Sequence, residues 1–77
     1  MIQKTLDVRG LRCPLPILKA QRAICDVKVG GMLEILATDP GAPEDFTDFC
    51  NATGHILHEA NVLTDGFRFV IERAASS

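Results

Sequence analysis

A chain of 77 residues, 47% hydrophobic and with a formal net charge of −2, has room for one compact domain and enough apolar side chains to build its core. The acidic balance offers no overall attraction to phosphate backbones or anionic bilayers, so nucleic acid and membrane are excluded as expected partners, and no apolar run approaches the ~20 residues that cross a bilayer. Lys4, Asp7 and Arg9 stand where a secretion signal would need an apolar stretch, and the three cysteines are too unevenly spaced for a disulfide framework, so the expected location is cytoplasmic.

Ile2 to Val8 alternates apolar and polar residues and predicts a first strand with Ile2, Leu6 and Val8 on one side. Arg9-Gly10 ends it. A helix is predicted from Cys13 or just after it, over Pro14 to Val27, with Pro14 in the first turn, where a missing N–H costs nothing. Ile17, Ala20, Ile24 and Val27 recur at helical spacing and make the stripe that packs on a sheet, while Leu15 and Leu18 fall outside it as an exposed apolar patch near Cys13.

Gly30-Gly31 turns the chain into a second strand, Met32 to Ala37, with Leu33, Ile35 and Ala37 on one face. After the loop from Thr38 to Pro43 a second helix is predicted, opened by Pro43, Glu44 and Asp45, lined by Phe46, Phe49, Cys50 and Thr53, and stopped by Gly54. His55 to Leu63 and Phe67 to Arg73 return to the strand pattern through a tight turn at Thr64-Asp65-Gly66. The order β-α-β-α-β-β predicts an α+β fold: a two-layer sandwich of a four-stranded mixed sheet with two helices on one face. Residues 1–77 thus read as a single domain, with 74–77 as a frayed tail.

The chemistry is expected at Cys13. A thiol where a loop becomes a helix meets the unpaired N–H groups and positive dipole end of the first turn, with Arg9 and Arg12 close in sequence, and both influences favour the thiolate. Pro14 and Pro16 stiffen the turn that presents the sulfur. No second cysteine lies within that turn, so internal dithiol chemistry is disfavoured and transfer of a single sulfane sulfur to and from Cys13 is the natural alternative.

The run Leu6-Asp7-Val8-Arg9-Gly10-Leu11-Arg12-Cys13-Pro14-Leu15-Pro16 resembles the signature of the TusA (SirA-like) sulfur-carrier family. Ala37-Thr38-Asp39-Pro40-Gly41-Ala42, Asp45-Phe46, Phe49-Cys50, Thr53-Gly54-His55 and Phe67-Arg68-Phe69-Val70-Ile71 extend the likeness over nearly the whole chain. The resemblance implies a βαβαββ fold similar to the C-terminal domain of a translation initiation factor, and a persulfide on Cys13. It further implies a cysteine desulfurase or other sulfur-donor protein on one side and a downstream acceptor protein on the other, in tRNA thiolation, molybdenum-cofactor supply or sulfur oxidation. Such a protein is a sulfurtransferase-type carrier rather than a stand-alone turnover enzyme, with no cofactor or metal. Leu15 stands between the prolines where the family also admits acidic residues, and with Leu18 it is the expected partner contact.

The other reactive types have plainer roles. Cys50 is on the apolar stripe of the second helix and Cys25 lacks a helix-start position, so both are expected to be structural or incidental. His55 and His58, read as strand residues, have an odd separation that sends their side chains to opposite faces, against a shared metal site. Asp39 is expected to shape the turn or to approach the start of the first helix. The competing possibilities are a non-catalytic interaction or regulatory module docking through Leu15 and Leu18, and RNA binding, which the acidic balance disfavours.

Overall fold

The computed structural model describes residues 2–75. Its elements are β1 (Ile2–Asp7), α1 (Leu15–Ala23), β2 (Met32–Ala37), α2 (Ala42–Thr53), β3 (Ile56–Leu63) and β4 (Gly66–Glu72), with a 3-10 turn at Ile24–Asp26 extending α1. The four strands lie in the order β1-β2-β4-β3, with β1 parallel to β2, β4 antiparallel to β2, and β3 and β4 an antiparallel hairpin, which is the expected mixed sheet.

Period-two alternation decides which face each strand buries. Leu33, Ile35 and Ala37 of β2 and Phe69 and Ile71 of β4 are buried against the helices, whose stripes supply Ala20, Ala23, Ile24, Phe46, Phe49 and Cys50. The Phe46 ring meets Phe69 at a centroid distance of 4.9 Å. Each fully buried Leu, Ile or Phe contributes roughly 1.5–3 kcal/mol from the area removed from water. The opposite sheet face is polar and open: Arg68 on β4 bonds Glu34 (2.5 Å), Glu59 (3.1 Å) and Asn61 (3.2 Å), and Thr5 donates to Glu34 (2.9 Å), so one network spans all four strands.

Several local expectations are corrected. A register shift between Ile2 and Lys4 turns Ile2 out of line with Leu6 and Val8; it lines a depression with Met32 and Val70 on the open face. Gly66 is not a turn residue but the first of β4, paired with Leu63 across Thr64-Asp65; a Cβ there would lie 2.5 Å from the Ala37 carbonyl oxygen. His55 precedes β3 rather than belonging to it. Ala74, expected to fray, donates its N–H to His55 Nδ1 (2.9 Å), while that expectation for Ser76 and Ser77 lies outside the described residues. Gly54 closes α2 as anticipated, in the left-handed conformation (φ 86°) with its N–H on the Cys50 carbonyl (2.9 Å).

Because β1 and β2 are parallel and each leads into a helix, both helices begin at the same edge of the sheet. Hydrogen bonds stitch the two loops there past the strand ends: Val8 N–H to the Leu36 carbonyl (2.8 Å), Gly10 N–H to Thr38 Oγ1 (2.9 Å) and Cys13 N–H to Asp39 Oδ2 (3.3 Å). Gly10 takes φ 83°, a conformation that costs glycine little.

Candidate functional site

Cys13 is exposed and a free thiol, as is Cys25, while Cys50 is buried. The Cys13–Pro14 peptide bond is cis. Pro14 is not in the first turn but caps α1: its carbonyl accepts the Leu18 N–H (3.1 Å), and the first-turn proline is the buried Pro16, whose missing N–H would have had no helical partner. The sulfur therefore sits two residues ahead of the helix proper.

The electrostatics at the sulfur differ from the expectation in sign. The Cys13 thiol is held above its ordinary range, first by a hydrogen bond to the Asp45 carboxylate, then by partial desolvation and the negative charges of Asp45 and Asp39. The cations expected to help are engaged or directed elsewhere. Arg9 binds Asp7 through Nε (3.0 Å) and Nη2 (2.8 Å), an interaction that pulls the Asp7 carboxyl down to about 2, and Arg12 lines a separate depression with Leu11, Thr38 and Pro40. A neighbouring carboxylate favours the protonated thiol more than a helix dipole of about half a charge favours the thiolate.

Asp45 joins Cys13 in a way the sequence left open. The helix pattern puts it at the dipole end of α2, which it does occupy, and with Phe46 it belongs to the family resemblance, but neither reading tied it to Cys13. The parallel β1–β2 pairing brings that first turn beside Cys13, and the two residues line one groove. Asp39, by contrast, is where its sequence position suggested, accepting from the Cys13 backbone and setting the loop through its own carbonyl, which accepts the Ala42 N–H (2.9 Å).

A groove of about 370 Å3 opens from Cys13 along the seam between the helices, floored by Pro14, Ile17, Phe49 and Ala52 and rimmed by Asp45 and Asp48. Leu15 and Leu18 are exposed (46% and 51%) but do not line it; they stand on another side of α1. The two histidines do not converge. His55 receives the Ala74 N–H, and His58 pairs with Glu72 (2.7 Å) on the sheet. Among the described residues no cluster of His, Cys, Asp and Glu is placed to hold a metal ion, and no helix is long and apolar enough to cross a membrane.

A family model described as sulfurtransferase TusA matches residues 4–73. The chain belongs to the TusA family. A Neisseria meningitidis protein named as a candidate sulfur carrier is 49% identical over 72 residues, covering 94% of this chain and 97% of that one. The sulfur carrier protein TusA of Allochromatium vinosum is 41% identical over 69 residues, covering 90% and 91%. The crystal structure of a SirA-like protein from Desulfitobacterium hafniense superposes with a TM-score of 0.79 over 94% of this chain and 99% of that one; at 19% identity it supports the fold. The TusA match and the SirA-like fold both agree with the resemblance carried by the segment from Leu6 to Pro16.

Chemically, an exposed thiol beside two carboxylates rests protonated. The small thiolate fraction that forms is a stronger nucleophile than one from an acidic thiol, because intrinsic nucleophilicity rises with pKa.

Proposed function

We propose that this TusA-family chain carries sulfur as a persulfide on Cys13, received from a cysteine desulfurase or another donor protein and delivered to a downstream acceptor protein. The Cys13 thiolate attacks the outer sulfur of the donor's persulfide and the donor leaves as a thiolate; an acceptor thiolate then removes that outer sulfur from Cys13. The observation that supports this most is the exposed Cys13 thiol in the loop at the sheet edge where both helices begin, in a chain matched by the sulfurtransferase model almost end to end. Pro14 and Pro16 hold the loop that presents it, Asp39 anchors its backbone, and the exposed Leu15 and Leu18 offer partner contact. Arg9 and Arg12 act at the edge of the site rather than on the sulfur. The acceptor decides whether the sulfur serves tRNA thiolation, molybdenum-cofactor supply or sulfur oxidation.

Incubation of the reduced protein with a desulfurase and cysteine should add the mass of one sulfur atom, mapped by proteolysis to the peptide holding Cys13. Cys13→Ser should gain none. Equal gain by that variant removes Cys13 from the relay.

A further inference from the structure

The groove that starts at Cys13 does not end at Ala52. Gln21, Phe49 and Thr53 line both it and a second depression bounded by Ile24, Cys25, His55 and Arg73, so two adjoining depressions, together a channel, follow the helix seam from Cys13 to Cys25. Cys25 lies twelve positions after Cys13 along mostly helical chain, which at 1.5 Å per residue is about 18 Å, the span of roughly five to six residues of extended peptide.

The two ends of this channel carry opposite charge. At the Cys13 end Asp45 and Asp48 stand one turn apart on α2 and both line the groove, while Asp39 lies outside it in the depression that Arg12 lines. Glu44 adds a further negative charge to the same first turn. The cations of the Cys13 loop do not cancel these charges at the channel, since Arg9 is clamped on Asp7 and Arg12 faces the other depression. At the far end the Arg73 guanidinium is held by the carbonyl oxygens of Cys25 (3.1 Å) and Val27 (2.7 Å), which fix its position without neutralising it. Between the ends the floor is apolar: Pro14, Ile17, Phe49 and Ala52.

We propose that this channel docks the cysteine-bearing segment of a sulfur-relay partner in one orientation: a Lys or Arg beside the partner's sulfur against Asp45 and Asp48, an apolar side chain over Ile17 and Phe49, and an acidic residue at Arg73. The proposal rests on the carrier role argued above and names the partner's recognition chemistry. Docking is also activation. The partner's cation neutralises the Asp45 carboxylate, which lines the same groove as Cys13, and the thiol gives its proton to water. The thiolate attacks the outer sulfur of the partner's R–S–SH: a bond forms between Cys13 and that sulfur, the R–S bond to it breaks, and the partner departs as R–S⁻. The proton on the moving sulfur travels with it, giving Cys13–S–SH with no net oxidation or reduction. A protein lacking a cation beside its cysteine meets a protonated, shielded thiol, so the carboxylates select as well as activate.

The test uses synthetic peptides of seven residues whose cysteine is capped as a mixed disulfide with 5-thio-2-nitrobenzoate. Cys13 attack on the peptide sulfur forms the Cys13–peptide disulfide and releases the coloured thiolate; because Cys25 is also an exposed thiol, the rate scored is that of the Cys13 adduct, mapped by proteolysis. One peptide carries Lys beside Cys and Glu at the far end; the other has the two charges exchanged. At low ionic strength the first should react with the full-length protein about tenfold faster, a preference that falls as salt is raised to screen it. In D45N/D48N the preference should collapse towards equality, and Ala52→Trp, which fills the floor, should slow the favoured peptide more than it slows iodoacetamide. Equal rates with the unmodified protein, or a preference undiminished in D45N/D48N, overturn the docking assignment. Loading of wild-type Cys13 by inorganic polysulfide is scored in parallel. Loading without charge preference overturns the docking proposal alone, and charge preference without loading overturns the carrier role alone.

Discussion

Cys13 and Cys50 lie on the helix side of the same sheet, and both thiols hold their protons more tightly than an unperturbed cysteine. The causes are unlike. Cys50 sits on α2 among Phe46, Phe49 and the sheet residues, and burial pushes its thiol up to about 11. Cys13 is exposed and is raised first by the Asp45 carboxylate, then by partial desolvation and the charges of Asp45 and Asp39. A protection that comes from burial is a property of the fold and ends only when the fold opens. A protection that comes from charge can be cancelled by another molecule bearing the opposite charge, and leaves the fold intact. The core thiol is therefore inert and the rim thiol is controllable, although both are shifted in the same direction.

The largest effect should be the contrast itself. Under native conditions at mildly alkaline pH, Cys13 should be carbamidomethylated at least about a thousandfold faster than Cys50, because Cys50 requires an opening that costs several kcal/mol in a marginally stable small domain. Peptide mapping over a time course reads the ratio directly, and 8 M urea should bring the two rates together. Comparable native rates would mean that α2 opens far more readily than its packing implies.

A smaller effect should follow when the charge at the rim is removed. Asp45→Asn should lower the apparent pKa of Cys13, read from the pH dependence of its alkylation, and raise its rate at pH 7 severalfold. Asp39→Asn should act in the same direction but less, since Asp39 influences the sulfur through its charge at longer range while its direct bond goes to the Cys13 N–H (3.3 Å). An unchanged alkylation profile in Asp45→Asn would remove the carboxylate from control of the sulfur. Stability should fall only slightly, by the ~0.3–1 kcal/mol that an acidic side chain gives a helix N-terminus.

What could be read in advance divides along the same line. Core elements were legible because local periodicity reports burial: Leu33, Ile35 and Ala37 alternate, Phe46, Phe49 and Cys50 share a helical stripe, and Gly54 ends that helix where it must. Cys13 stood out as the candidate for the reactive atom because Cys-Pro-Leu-Pro is a contiguous motif. Its field was not legible, because Asp45 is remote in sequence and becomes a neighbour only through the parallel pairing of β1 and β2. Arg9 shows the converse: nearness along the chain suggested help for Cys13, whereas a strand-end geometry two residues from Asp7 gave its guanidinium a better partner. The turn of Ile2 onto the open face depended on a bulge, which depends on the partner strand and has no local marker.

The smallest effect probes a buried group whose protection resembles that of Cys50 but acts on a base. His55 is 8% exposed, stacks near Phe49 at 5.8 Å and accepts the Ala74 N–H on Nδ1 (2.9 Å), so its neutral form carries the proton on Nε2. Burial, and then the nearby charge of Arg73, hold its pKa below 6.5. The sign follows from linkage: the unfolded chain takes up a proton near 6.5 that the folded chain resists, so the stability this site contributes is complete above that pH and is lost as pH falls towards the lower folded value. Protonation of Nδ1 also removes the acceptor for Ala74. The urea midpoint of the wild type should therefore fall between pH 7 and pH 5 more steeply than that of His55→Asn, whose side-chain oxygen can accept in place of Nδ1 but does not titrate. Over the same interval the Ala74 amide should lose protection from hydrogen exchange after correction for intrinsic rates. Parallel pH profiles for the two proteins would show that the imidazole is not what ties the end of β4 to the start of β3.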